Sequence, residues 1–156
     1  MTSTANHAEK ARKEKRRSAE AIGIDPAFVS QMVDTFYAKV RQDDLLGPIF
    51  ERRVEDWPHH LDRMKKFWGS ILHQSGGYSG NPMLKHVAIP AIAAPEFRRW
   101  LALFDQTLDQ IETHPDARRL IAGKARTIAD SLLTAIHIHR DGKCDPLVLK
   151  GQADVR

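Results

Sequence analysis

The sequence predicts an all-α protein. Apolar residues recur at helical spacing in four long stretches, capping residues, prolines or glycines bound those stretches, and no strand pattern occurs along the 156 residues. That length suits one domain, because single cores of roughly 100–150 residues are the commonest size. The architecture that follows is a packing of four substantial helices plus short ones, without internal repeats.

Residues 1–24 lack apolar periodicity and are rich in Ala, Lys, Arg and Glu, so they read as a solvated, mobile basic extension, at most transiently helical. Its six basic side chains (Lys10, Arg12, Lys13, Lys15, Arg16, Arg17) oppose three acidic ones (Glu9, Glu14, Glu20), so most of the net charge of +4 sits there. The rest is close to neutral, and the folded part offers no general electrostatic case for nucleic acid.

The domain is expected over residues 25–140. Asp25-Pro26 supplies an N-cap and a first-turn proline, followed at helical spacing by Phe28, Val29, Met32, Val33, Phe36, Tyr37 and Val40. Leu46-Gly47-Pro48 breaks that helix and leaves Ile49 and Phe50 at a corner. Asp56 caps the next helix, whose apolar stripe is Trp57, His60, Leu61, Met64, Phe67, Trp68, Ile71 and Leu72. Ser75 to Pro82 is loop chemistry, and Met83 to Val87, with His86, makes one or two turns. Pro90 and Pro95 bound a connection. Phe97, Trp100, Leu101, Phe104, Leu108 and Ile111 define a helix ending near His114-Pro115. A last helix from Asp116 to His139 buries Leu120, Ile128, Leu132, Leu133 and Ile136, and residues 141–156 read as a mobile tail.

Cys144 is the only cysteine, which excludes an intramolecular disulfide and a thiolate zinc cage. No apolar run approaches the ~20 residues that span a bilayer. The amino terminus lacks the apolar stretch of a secretory signal, so a cytoplasmic location is expected.

His60 on an apolar helix face and His86 after a glycine-rich loop could face each other across a flat group, a haem-pocket arrangement. Spacing alone leaves other readings open. His86 could satisfy a backbone group or lie at the surface, and the Tyr37 hydroxyl could simply reach solvent. Trp100 could be a core anchor, and Met64, Phe67 and Trp68 an ordinary core stripe.

Phe36-Tyr37-Ala38-Lys39-Val40-Arg41 and Leu46-Gly47-Pro48-Ile49-Phe50 narrow the choice. They are followed in order by Trp57-Pro58-His59-His60, Phe67-Trp68, Tyr78-Ser79-Gly80-Asn81-Pro82, Lys85-His86 and Phe97-Arg98-Arg99-Trp100-Leu101-Ala102-Leu103-Phe104. Over about residues 26–139 the chain resembles the group III truncated haemoglobins. The resemblance implies a shortened globin, a two-over-two helical sandwich around haem b. The haem is non-covalent, since a lone cysteine cannot form the paired attachment signature. It also implies His86 as the iron ligand, with Tyr37, His60 and Trp100 on the distal side and Phe50 wedging the haem. Met64, Phe67, Met83, Trp100 and Phe104 would line the pocket. Arg63 and Lys85 are the cations nearest the two histidines for the propionates, though both could equally be solvated surface charges.

The function implied is reversible binding of oxygen and other diatomic gases, NO and CO among them. The alternative is a haem enzyme for nitric oxide dioxygenation or peroxide reduction. It would need an external reductase, because no flavin or nicotinamide motif is present. A third class is a haem-free interaction module whose basic tail contacts nucleic acid or acidic lipid, although a short basic run is usually a solvated segment.

Overall fold

The computed structural model describes residues 2–73 and 92–141, with side chains described over 6–73 and 92–138, and within these residues it contains six helices and no strand. They are α1 (Thr2–Ala21), α2 (Pro26–Gln42), α3 (Gly47–Arg53), α4 (Trp57–His73), α5 (Ala94–Gln110) and α6 (Pro115–Asp141). Helix α2 packs on α4 and on α5, and α5 packs on α6, giving two helix pairs stacked as a sandwich. None of these helices is long and apolar enough to cross a membrane.

Helix α2 starts where local chemistry dictates. The Asp25 carboxylate accepts the Phe28 N–H at 2.7 Å, and Pro26 occupies the first turn. Its residues Val29, Met32, Val33, Phe36, Tyr37 and Val40 are buried. They meet Trp68 and Leu72 of α4 and Leu103, Phe104 and Leu108 of α5 in the main core. Asp56 caps α4 by accepting the His59 N–H at 3.1 Å.

The structure differs from the sequence expectation in four places. Gly47-Pro48 opens α3 instead of leaving a bare corner, because proline is tolerated in a first turn. Helix α5 stops at Gln110, before His114-Pro115, where Glu112 takes a φ of 53° and the Thr113 hydroxyl donates to the Leu108 carbonyl at 2.8 Å. Leu120 is 39% exposed, whereas Leu132 and Ile136 are buried as expected, Ile128 and Leu133 are partly buried against the core, and α6 also buries Ala117, Ile121, Ala125, Ala129 and Ala135. Small alanines thus widen the buried stripe beyond its bulky residues Ile121, Leu132 and Ile136.

The fourth difference is at the amino terminus, where the segment read as an extension forms α1. Its end is a Schellman turn: Gly23 sits at a φ of 88°, the Gly23 N–H bonds the Glu20 carbonyl at 3.0 Å and the Ile24 N–H bonds that of Ala19 at 2.9 Å. Ala19 and Ile24 join the core, and α1 packs on α4. Buried His73, the last residue of α4, donates from Nε2 to the Ile24 carbonyl at 2.5 Å.

Candidate functional site

Tyr37 projects from α2 into a group of rings. Phe36 lies 5.0 Å from it, Phe50 5.8 Å, Trp57 6.1 Å and His60 5.1 Å, all edge-on. Phe50 comes from α3, and α3 can start so close to α2 because Gly47 has no side chain. A Cβ there would stand 3.0 Å from the Arg41 carbonyl oxygen. Trp57 and His60 come from the first turn of α4, held by the Asp56 cap.

Burial pushes the Tyr37 phenol well above its ordinary pKa, so it stays an O–H donor even through the alkaline range where an ordinary tyrosine ionises. The Trp57 Nε1–H is also buried and has no acceptor among the described residues. An unsatisfied buried donor of this kind costs ~1–3 kcal/mol. The Arg41 guanidinium lies 4.4 Å above the Trp57 ring and pairs with Glu51 at 3.3 Å.

Phe36 links this group to α5. Its ring is 5.5 Å from Trp100 and 4.8 Å from Phe104, and Phe104 also meets Trp68 at 5.2 Å and Trp100 at 5.3 Å. Trp68 and Phe104 are wholly core residues. Met64 and Phe67 of α4, Phe50, and Trp100 and Leu101 of α5 are only partly buried while packed on that core, which makes an apolar wall beside the donors. His60, Met64 and Phe67 share one face of α4 by their spacing.

The family model for bacterial-like globins matches residues 19–133. A group 3 truncated haemoglobin of Campylobacter jejuni is 33% identical over 110 residues, covering 68% of this chain and 86% of that relative. A group 2 truncated haemoglobin of Bacillus subtilis is 30% identical over 115 residues, covering 70% and 83%. The crystal structure of group III truncated haemoglobin from Campylobacter jejuni superposes with a TM-score of 0.68 at 31% identity, covering 72% of this chain and 91% of that one. The chain belongs to the group III truncated haemoglobins, within the bacterial-like globins.

Haem needs an apolar slot and, on its ligand side, polar groups facing a small bound molecule. The described part of this truncated haemoglobin fits that need, with a partly buried apolar wall along α4 and α5 and a buried, protonated phenol and an unpartnered buried indole N–H beside it. Of the residues singled out in the sequence, Tyr37, Phe50 and His60 are brought together directly. Trp100 joins them through Phe36, and Met64 and Phe67 lie on the wall. Phe104 sits deeper, in the core, and Arg63 is partly buried on α4. Met83, Lys85 and His86 lie outside the described residues. The other two histidines of α4 have different surroundings, His59 being exposed and His73, at the far end of the helix, bound to the Ile24 carbonyl. A recess of about 220 Å³ between α5 and α6, lined by Leu101, Phe104, Asp105 and Arg126 among others, lies apart from Tyr37 and His60.

Three residues of this region have roles that escaped the sequence reading. Trp57 belongs in the sequence to an apolar stripe and to the Trp57-Pro58-His59-His60 motif, neither of which signals that its indole N–H is a buried donor without an acceptor among the described residues. Asp43 ends α2 with a side chain 2% exposed. Its Oδ2 accepts the N–H groups of Leu45 at 3.1 Å and Leu46 at 2.9 Å, and its Oδ1 accepts Arg99 Nε at 2.6 Å. Burial by itself would raise the Asp43 pKa, but the Leu46 N–H, the Arg99 guanidinium and the Leu45 N–H outweigh it and the net shift is downward. Asp-Asp-Leu-Leu-Gly-Pro carries a local signal for the turn half of this arrangement, while its Arg99 half is 56 residues away.

Proposed function

We propose that this truncated haemoglobin binds oxygen and other diatomic gases, NO and CO included, reversibly at a haem b iron held by His86. The observation that carries the reading is the gathering of Tyr37, His60 and, through Phe36, Trp100 at one end of an apolar wall. When bound, haem supplies the iron to which a diatomic gas attaches. Phe50, Met64, Phe67, Met83 and Trp100 would hold the macrocycle by apolar contact, with Phe104 behind them. Arg63 and Lys85 would neutralise its propionates. A neutral His86 would donate one ring nitrogen to the metal and fix its orientation through the other. Tyr37, kept protonated by burial, offers an O–H bond toward a gas carrying partial negative charge, and the Trp100 indole and His60 offer further donors. The rings around Tyr37 exclude water, which strengthens each such bond.

Several donors around one small ligand favour retention over delivery. A second reading is therefore conversion of nitric oxide to nitrate with an external reductase, tested by mixing the oxygenated protein with nitric oxide and measuring nitrate. We place the protein in the cytoplasm.

The deciding experiment is the visible spectrum of purified wild type and His86→Gly, ferric and then reduced, with and without oxygen and carbon monoxide. The expected result is an intense haem band that shifts with each gas, lost in the variant and restored by added imidazole. No haem band after supplying haem would overturn the proposal.

A further inference from the structure

Contacts between α2 and α5 are mostly apolar, through Phe36, Trp100 and Phe104, and apolar contact, being non-directional, sets one helix's rotation against another less specifically than a hydrogen bond does. The Asp43–Arg99 bond is directional. Asp43 stands at the end of α2, where its own carbonyl also accepts the Gly47 N–H at 2.8 Å, so it organises the α2–α3 corner. Arg99 directly precedes Trp100 on α5. Because the Asp43 carboxylate is buried and its second oxygen is committed to two backbone N–H groups, it cannot follow Arg99 if α5 moves. Arg99 itself is half exposed, so the pair adds little to overall stability, but its geometry is constrained from the Asp43 side.

We infer that the Asp43–Arg99 pair is a positioning device, holding Trp100 on α5 against Phe36 on α2, the ring that also packs on Tyr37, and thereby setting how firmly the pocket retains a diatomic gas. The inference rests on the gas-binding reading. Its test compares full-length wild type, Arg99→Gln and Arg99→Lys, loaded with haem, by oxygen dissociation rate and by the indole N–H signal of Trp100 in nitrogen-15-labelled protein, assigned with Trp100→Phe. Arg99→Gln is expected to speed oxygen release roughly tenfold, the scale of one weakened hydrogen bond, and to move the Trp100 signal. Arg99→Lys, which keeps the charge and loses the planar fork, should recover part of both effects. A lowered unfolding midpoint with release rate and Trp100 signal unchanged would make the pair merely structural and overturn the inference. If Arg99→Gln does not fold, Arg99→Lys decides by the same two readouts, a change in both supporting the inference and no change overturning it. Should wild type take up no haem, the gas-binding reading fails by itself. The Trp100 signal in haem-free protein then decides, a shift in Arg99→Gln supporting the positioning role and no shift removing it.

Discussion

The Tyr37 ring meets the His60 ring edge-on, with centroids 5.1 Å apart and planes at 88°. Two helices that start from separate caps, Asp25 and Asp56, therefore deliver a hydroxyl-bearing and an imidazole side chain to one place. The two rings lie within one aromatic group but differ in chemistry. The phenol is fixed as a donor by burial, whereas an imidazole can donate, accept or swing aside.

Tyr37→Phe keeps the ring and deletes the donor. Losing one hydrogen bond worth ~1–3 kcal/mol should raise the oxygen dissociation rate roughly ten- to hundredfold with little change in the unfolding midpoint. Because burial raises the phenol's pKa, wild-type release should also stay flat through the alkaline range where an ordinary tyrosine ionises, near pH ~10. Stopped-flow ligand replacement measures both. An unchanged rate in the variant would remove Tyr37 from the ligand's surroundings.

Asp43 links stability to acid. Its folded-state pKa lies below its unfolded value of ~3.9, so its contribution is present above that value and is lost as pH falls through the folded pKa. Denaturant midpoints measured down from neutral pH should therefore fall below about pH 4. Asp43→Asn should be less stable at neutral pH and show a shallower acid slope. An equally steep slope in the variant would assign the acid sensitivity to other carboxylates.

Much of the fold was legible because its signals are local. A cap and the apolar period that follows it lie within a few residues of one another, which is why Asp25-Pro26 and Asp56 located α2 and α4. Helix α6 and most of its buried face were legible, with Leu132 and Ile136 in the core and Leu120 the exception. Ala117, Ala125, Ala129 and Ala135 give a weak apolar signal, and Leu120, the more conspicuous residue, points outward. At the candidate site, the gathering of Tyr37, Phe50 and His60 was legible only through family resemblance, since periodicity cannot distinguish a pocket wall from a core face. The Asp43–Arg99 bond was not legible, because only the tertiary fold brings α2's end to α5. The Gly23-Ile24 pair did carry a readable helix-stop signal, but the charge of the preceding residues obscured it.

Gly47→Ala tests the close approach of α3 to α2. The new methyl would stand 3.0 Å from the Arg41 carbonyl oxygen and 3.3 Å from that of Val40, both backbone atoms that cannot turn away. Helix α3 must shift, at a cost of ~1–3 kcal/mol in unfolding free energy, and Phe50 shifts with it. Chemical denaturation gives the cost. The aromatic near-ultraviolet circular dichroism should change as well, since Phe50 packs on Tyr37 and Trp57. A fully stable variant with an unaltered spectrum would show that the corner has slack.

Two truncations separate the exposed part of α1 from the part that belongs to the core. Removing residues 1–16 deletes, over residues 6–16, side chains that are exposed or, for Lys15, partly so, together with the Lys13–Glu9 and Arg16–Glu20 pairs, which lie at the surface and hold loosely at 3.7 and 3.9 Å. The unfolding free energy should change by no more than ~0.5 kcal/mol. Removing residues 1–24 deletes Ile24, which is 0% exposed and whose burial is worth ~1.5–3 kcal/mol. It also leaves the buried His73 ring without the carbonyl it bonds, a further ~1–3 kcal/mol. The longer deletion should therefore lower the midpoint sharply while the shorter does not. His73→Ala in the full chain should reproduce part of the loss without altering the oxygen dissociation rate, because His73 serves the joint between α1 and α4. Equal stability of the two truncated proteins would mean that the core closes without Ile24. The start of the family match at residue 19, within the last turn of α1, argues against that outcome.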